Sequence, residues 1–324
     1  MIYVNWYHHN VPKILAIFSF IINPLFIYLV LTKSRSQMGN YRFLLIGFAV
    51  FDMVYSMAEL LTPIAVLNSG YGFVTFITDG PFFENLEYGL HGVSSRCCFV
   101  SMSYAVLIIH FVYRYLILFY PHHVDKMLKP LGIMAMTLFF LTHGAFWTWI
   151  CEECLAPNEE IRDIIRPSFL EVHHVNSDYI SLLTGQYRLD WYIFLNRIPM
   201  YCMTVYFVLG YKIMKKMNES QAMSNISITL NRQLFKALVA QTCIPMFASF
   251  LPTIIAWYAP IFLINLTWWN NYVCNICLSA FPLIDPIVVI YFIPNYKNTV
   301  LVWLRLRKQK VVTTTISMVS APTM

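Results

Sequence analysis

Seven apolar runs recur along this chain, at 11–31, 43–66, 93–119, 131–150, 191–213, 234–259 and 271–293. Each is near or above the ~20 residues that an α-helix needs to cross a bilayer. No other feature restricts the fold so strongly, because in lipid the backbone N–H and C=O groups must be satisfied within the protein itself. Of the 324 residues, 58% are hydrophobic and 12% charged, against about 25% charged in soluble domains. The expected fold class is an all-α membrane protein, a seven-transmembrane helix bundle. A short segment, 1–10, precedes it and a polar tail, 294–324, follows. Residues 1–10 lack a basic leader region and no small-residue cleavage site follows the first run, so that run reads as a retained anchor. Pro260 is expected to end the helix of the sixth run, leaving the apolar residues after it to an outer loop. No internal repeat is evident.

Charge divides the connecting segments into two sets. One set holds Lys33, Arg35 and Arg42; Lys126 and Lys129; Lys212, Lys215, Lys216, Arg232 and Lys236; then Lys297, Arg305, Arg307, Lys308 and Lys310. Loops rich in Lys and Arg stay cytoplasmic. The other set holds Asp79, Glu84 and Glu87, then Glu152, Glu153, Glu159, Glu160, Asp163, Glu171, Asp178 and Asp190. The N-terminus is therefore expected outside and the C-terminus inside, in a multi-pass protein of the plasma membrane. The net charge of +6 is then a topology signal and not a nucleic-acid footprint. The basic inner face also suits anionic lipid.

Cys97 and Cys98 end one run on the outer side, and Cys151 and Cys154 open the acidic loop, so both pairs face an oxidising compartment. One bridge between the two pairs would tether that loop over the bundle. "CEEC" has no second CxxC or paired histidine to complete a zinc site. The remaining cysteines, Cys202, Cys243, Cys274 and Cys277, read as small packing residues. His8 and His9, His122 and His123, and His173 and His174 fall on both sides of the membrane and share no site. Hydrolase, protease and nucleotide-binding motifs are absent. Neither an enzyme nor a cofactor is expected.

"FPLIDPIVVIYFIPNYK" sets a carboxylate between two prolines inside an apolar run. Ionisable groups there face the bundle interior and find polar partners. At 1.5 Å per residue from the cytoplasmic end, Asp285 lies about 12 Å deep, Asp52 about 14 Å and Asn23 about 13 Å. One level suggests a polar cluster holding water, a cation or a proton; the alternative is three residues satisfied locally. Two carboxylates at one level repel unless one is protonated or a cation intervenes. Pro24, Pro199, Pro245, Pro252, Pro282 and Pro286 supply kinks, although membrane helices carry more proline in any case. Arg114, between Tyr113 and Tyr115, either snorkels to the interface or faces inward as a gate between the third and sixth helices.

In order, "YHHNVPKILAIFSFIINPLFIYLVL", "GNYRFLLIGFAVFDMVYS", "HFVYRYLILFYP", "LFKALVAQTCIPMFASFLP" and "FPLIDPIVVIYFIPNYK" resemble the nematode serpentine chemoreceptors, serpentine receptor class J of the Str superfamily. The resemblance extends from the first run to Lys297. It implies a G-protein-coupled receptor of chemosensory neurons or their cilia. Such a receptor binds a small external molecule and signals through a heterotrimeric G protein. Tyr113, Arg114 and Tyr115 resemble the Asp-Arg-Tyr motif of rhodopsin-like receptors, with tyrosine in place of the acid, so the usual lock is missing. Asp285 and Pro286 resemble the start of Asn-Pro-x-x-Tyr, but Val289 stands at the tyrosine position and Tyr291 is the nearest tyrosine. The cysteine pairing agrees with the rhodopsin-like bridge to the second outer loop.

On that reading, the ligand enters from outside between the third, fifth, sixth and seventh helices, under a lid formed by 152–190. Candidate ligand-binding groups are Glu59, Arg96, Asn196, Arg197, Asn271 and Asn275, with Glu59 pairing Arg96 or Arg197. The sixth helix would swing about Pro245 or Pro252 and open the inner face near Arg114. There Lys212, Lys215, Lys216, Arg232 and Lys236 would meet the G protein. Two other classes stay open: a ligand-gated cation channel of inverted seven-helix type, and an ion-coupled transporter using Asp52 and Asp285. Asn265 in "NLT" is expected to be glycosylated outside, and Asn218 and Asn225 to stay bare inside.

Overall fold

Asn5 starts the first helix by accepting the His8 amide at 2.7 Å, satisfying one of the N–H groups that every helix start leaves open. The computed structural model describes residues 1–34, 39–69, 72–186, 197–219, 225–247, 251–264 and 266–307; side chains are not described at 186, 197–199, 219, 225–231, 244, 245, 253, 257, 260 and 261. In chain order the elements are α1 (Trp6–Lys33), α2 (Tyr41–Leu61), β1 (Ile64–Ser69), β2 (Gly72–Ile77), α3 (Leu86–Phe119), α4 (Pro121–Met127), α5 (Pro130–Cys154) and α6 (Glu159–His173). They continue with β3 (Leu182–Gln186), α7 (Arg197–Glu219), α8 (Asn225–Pro245), α9 (Leu251–Tyr258), α10 (Thr267–Phe292) and α11 (Pro294–Trp303). Among the described residues, α1, α2, α3, α5 and α10 are each long and apolar enough to cross a membrane.

The longest helix is α3, at 34 residues, or about 50 Å at 1.5 Å per residue. It packs against α2, α5, α7 and α8. Its neighbour α5 comes close because Gly144 has no side chain: a Cβ there would stand 2.8 Å from Met102 Cγ. The other face of α5 is apolar and open, with Leu131, Met134, Leu138 and Leu141 exposed, as a lipid-facing surface is.

The prolines of α10 explain how an acidic, kinked segment settles in the bundle. Pro282 and Pro286 lack the N–H groups that would pair the carbonyls of Leu278 and Pro282 in a regular helix. Neighbouring helices claim both. Tyr55 of α2 donates its hydroxyl to Leu278 O at 3.4 Å, and Asn23 of α1 donates Nδ2 to Pro282 O at 3.0 Å. Replacing Asn23 by Leu leaves the Pro282 carbonyl only the Ser19 hydroxyl, at 3.5 Å. We expect Asn23→Leu to destabilise the bundle by about 1–3 kcal/mol, read as a lower unfolding temperature of the purified protein.

The fold departs from the all-α expectation at one end of the bundle, where an antiparallel sheet in the order β1-β2-β3 sits. Val66 pairs with Thr75 and Phe73 with Gly185. Successive side chains alternate in direction, so Ala65, Leu67, Val74, Phe76 and Leu182 pack against Ile165 and Phe169 of α6. The opposite face sends Phe73, Ile77 and Leu183 against Val93, Trp147 and Ile150 of the bundle. A Cβ on Gly185 would stand 2.2 Å from the Phe73 ring, so only glycine fits there. Thr184 N donates to Leu155 O at 2.7 Å and fastens the sheet beyond α5.

This sheet also corrects the second apolar run. Helix α2 ends at Leu61, and 64–66 belong to β1. Pro63 cannot continue the helix. A strand covered on both faces is as apolar as a buried helix, so periodicity alone does not separate them. The sixth run is likewise divided, with α8 ending at Pro245, α9 ending at Tyr258 and a 3-10 turn over Ala259–Phe262.

Candidate functional site

Beneath the sheet lies a cavity of about 80 Å³. Val66, Phe73, Thr75 and Leu183 of the sheet roof it, and Arg96 and Cys97 of α3, Trp147 and Cys151 of α5, Ala256 of α9, and Cys274 and Leu278 of α10 form its walls. Apolar side chains dominate the lining, with Arg96 as its charged member. Arg96 is 1% exposed and Glu59 3%. Nη2 of Arg96 donates to Oε2 of Glu59, and the guanidinium carbon sits 4.3 Å from the centre of the Tyr55 ring. Nε and Nη1 of Arg96, and Oε1 of Glu59, have no hydrogen-bond partner among the described residues. Of the two partners considered for Glu59, the structure brings Arg96 to it.

The other candidate ligand-binding residues are placed differently. Asn275 is buried, but its Nδ2 lies 3.2 Å from His8 Nε2, outside the cavity lining. Asn271 contributes its backbone carbonyl, which accepts from Asn5 Nδ2 at 3.1 Å. A π-turn over Asn270–Cys274 sets these directions; such turns shift the helix face within one segment. Asn196 and Asn265 lie outside the described residues, and Arg197 is described only as the first residue of α7.

Cys97 and Cys151 both line the cavity wall and lie close enough to interact. Cys98 Sγ points instead to Met102 Sδ, at 3.8 Å, and Cys154 is half-buried. All four are free thiols here.

A polar seam continues from the cavity along α1, α2 and α10. Asn23, Asp52 and Asp285 are all buried, and Asp52 and Asp285 are close enough to interact electrostatically. Ser56 Oγ lies 2.9 Å from both Ser19 Oγ and Asp52 O. Oδ1 of Asn23, Oδ1 of Asp52 and both carboxylate oxygens of Asp285 have no hydrogen-bond partner among the described residues. Buried carboxylates so placed can share a proton or hold a cation between them. Pro286 is buried beside them, while of Pro245 only the backbone is described. Tyr291 is not part of this seam: it is 60% exposed, with Lys297 Nζ over its ring at 4.1 Å. Tyr296, by contrast, is buried, and its hydroxyl lies 2.6 Å from Ser34 Oγ.

At the end of the bundle opposite the sheet, Arg114 is 3% exposed. It points inward, not out to the interface, and stacks on α2 instead of α8. Its guanidinium carbon lies 3.6 Å from the centre of the Tyr41 ring, which in turn stacks on Tyr113. Tyr41 is fixed by a 3.0 Å hydrogen bond between its hydroxyl and His110 Nδ1. Nε and Nη2 of Arg114 have no hydrogen-bond partner among the described residues. Lys212, Lys215 and Lys216 on α7, and Arg232 and Lys236 on α8, are exposed.

The sheet end of the bundle has its own pH response. His173 packs on Phe76 and Phe169, at ring distances of 5.1 and 5.0 Å. Burial, then the neighbouring His174, lower its pKa from 6.5 to about 4. A histidine held neutral in the fold stabilises it fully above the unfolded value, and that contribution is lost as pH falls from 6.5 towards 4. Asp178 is held below its ordinary range by Arg166, whose Nη2 donates to it at 3.0 Å. That contribution is present above the ordinary aspartate value of 3.8 and is lost as pH falls through the lowered folded value. The protection of β2 and α6 against hydrogen exchange, after correction for the pH dependence of the intrinsic rate, is therefore expected to fall below pH 6.5. His173→Phe should remove the part of that loss of protection between pH 6.5 and 4.

Comparison with known proteins agrees with this architecture. The sequence profile described as "Serpentine type 7TM GPCR chemoreceptor Srj" matches residues 2–300. Serpentine receptor class J-38 of Caenorhabditis elegans is 27% identical over 307 residues, covering 91% of this chain and 93% of that protein. Serpentine receptor class r-10 of Caenorhabditis briggsae is 26% identical, covering 90% and 88%. G-protein coupled receptor str-217 of Caenorhabditis elegans is 24% identical, with the same coverage of 90% and 88%.

Proposed function

The chain belongs to the Srj family of serpentine 7TM GPCR chemoreceptors, and from that premise we propose that it is a chemosensory receptor coupled to a heterotrimeric G protein. On this reading it crosses the plasma membrane of a sensory neuron seven times, with α7 and the α8–α9 segment completing the set formed by the five long apolar helices. The sheet and α6 lie outside, and the basic residues of α7 and α8 lie inside. A small external molecule binds beneath the sheet. The acidic segment after α5 forms part of the lid, and the β1–β2 hairpin forms the rest. A bridge between Cys97 and Cys151 would hold α3 to the end of α5 beside the bound molecule.

The observation that carries this reading is the placement of two buried arginines on one helix. Arg96 faces the cavity near one end of α3 and Arg114 lies near the other, about 27 Å apart at 1.5 Å per residue. A rigid helix joining a pocket to a charged group at the opposite end is suited to passing a shift between them. The Asp52–Asp285 seam lies between those ends and gives the bundle a polar layer whose partners change as helices move. A ligand biases such an equilibrium only through its preference for one state; a 100-fold preference corresponds to about 2.7 kcal/mol. Swinging of α8 about Pro245 would then expose the face where Arg114 meets the G protein.

Two measurements test this. Epitope tags on the termini should be reached in intact cells at the N-terminus alone, and at the C-terminus only after permeabilisation. Receptor reconstituted with a G protein should accelerate nucleotide exchange, and Arg114→Gln should abolish that acceleration while leaving folding intact. A C-terminus reached in intact cells, or an ionic current evoked without any G protein, would sink the receptor reading.

A further inference from the structure

Residues 2–13 form a strap across the sheet end of the bundle. Ile2 donates its amide to Thr78 O at 2.7 Å, and its side chain is buried with Ala65, Phe76 and Phe169. Asn5 Nδ2 donates to Asn271 O at 3.1 Å, and Lys13 pairs with Asp79 at 3.6 Å. Between these contacts lies His8, 5% exposed, with Nε2 3.2 Å from Asn275 Nδ2 and its ring against the backbone of Ile64. The strap is thus fastened to the sheet on one side and to α10 on the other. We propose that His8 and Asn275 form a proton-binding site, and that a proton taken up there releases the strap from the sheet and from α10.

Hydrogen bonding fixes the starting state. An amide nitrogen can only donate, so Nε2 accepts and the docked ring is neutral. A proton on Nε2 would set N–H against N–H. Turning the Asn275 amide over presents Oδ1, which has no hydrogen-bond partner among the described residues, and repairs that contact. It supplies no counter-charge.

Charge therefore decides the outcome. On α1 itself the neighbours are His9 and Lys13, with Lys13 Nζ 3.1 Å from His9 Nε2. His173 of α6, like His9, is close enough to act on His8 electrostatically. Strand β1 carries no ionisable residue, and α10 brings only the thiols of Cys274 and Cys277 to this end. Among the acids of the packed elements, Asp79 is held by Lys13, Glu59 by Arg96 and Asp178 by Arg166, while Glu171 is exposed. Asp285 stands about 15 Å along α10 from Asn275. A protonated His8 is then a buried cation among cationic and neutral groups, which is costly. His173 gains its own charge as pH falls, and the two rings repel across the joint between the strap and α6. Moving the strap into water solvates both. With the orientation proposed above, the stimulus is external acid; the epitope tags decide that side separately.

The test uses the full chain in lipid nanodiscs, with every protein carrying His173→Phe to silence the response of that residue. Protection of residues 2–10 against hydrogen exchange, corrected for the intrinsic rate, is compared at about pH 7.5 and about pH 5, either side of the ordinary histidine value. It should fall about tenfold or more, while that of α3 stays unchanged, which separates release of the strap from loss of the fold. His8→Gln keeps a donor and an acceptor but does not titrate, so protection should be the same at both pH values. Asn275→Asp sets a carboxylate beside the ring and compensates its charge, so the strap should stay docked at the lower pH. Equal protection at both pH values with His8 and Asn275 intact overturns the proposal, as does a fall that persists in both variants. If His8→Gln is already unprotected at the higher pH, Asn275→Asp decides alone: a strap that stays docked upholds the site, and one released like its parent overturns it. Loss of protection at the higher pH in both variants assigns the strap to packing and also overturns the proton site.

Discussion

Arg96→Ala is expected to cost about 3–5 kcal/mol of stability, because it leaves the Glu59 carboxylate buried with no counter-charge. The figure follows from burial: neither side chain of the pair has appreciable access to water. A surface pair would contribute about 0–1 kcal/mol. The loss should be seen as a sharply lower unfolding temperature and poor recovery of folded protein. The Glu59→Met/Arg96→Met variant should return close to the parent, since well-packed apolar residues often replace a buried ion pair at no net loss. If Arg96→Ala unfolds at the parent's temperature, the pair is not buried as described. If the double variant is as unstable as the single one, the defect lies in packing and not in charge.

Tyr41→Leu is expected to raise ligand-independent nucleotide exchange. Arg114 has no acidic neighbour in sequence to hold it: Tyr113 stands at the position of the acid in the Asp-Arg-Tyr motif that this stretch resembles. In this structure the Tyr41 ring holds it instead, at 3.6 Å. A desolvated cation–π contact contributes about 2 kcal/mol, and loss of that amount from the resting state alone shifts the equilibrium about 30-fold towards the active one. Tyr41→Phe keeps the ring and loses the His110 hydrogen bond, so its basal exchange should stay near the parent's. Exchange unchanged in Tyr41→Leu, or raised equally in both variants, removes the cation–π contact from the resting state.

Much of the candidate site could be read as residue identity but not as arrangement. Asn23, Asp52 and Asp285 stand out because a charged or amide group inside an apolar run must find a partner. Asn23 finds Ser19 on its own helix and, across the bundle, the carbonyl of Pro282, a group that every residue carries and that Pro286 makes available. Tyr41, Tyr55 and Tyr296 carry no signal in the sequence, because tyrosine is common in membrane segments and only its hydroxyl's destination marks it out. Tyr291, nearer to the expected motif position, turned out to face outward. The hairpin left a trace in Pro63 and in the glycines of "NSGYG" between two apolar hexamers. Its strands are covered on both faces, by α6 and by the bundle, and so lack the polar alternation that identifies a strand.

Composition and hydropathy by themselves determined that this chain is a helical membrane protein, because lipid leaves few ways to satisfy a backbone. The order of its motifs determined the family. Which helix faces meet was decided only in three dimensions, because one sequence contains no helix rotations. Tertiary structure placed Arg96 on Glu59, Arg114 on Tyr41 and Cys97 beside Cys151. It also closed the cavity with a sheet whose middle strand pairs with residues more than a hundred positions away. Such pairings depend on chain segments brought together by burial, and no local pattern announces them.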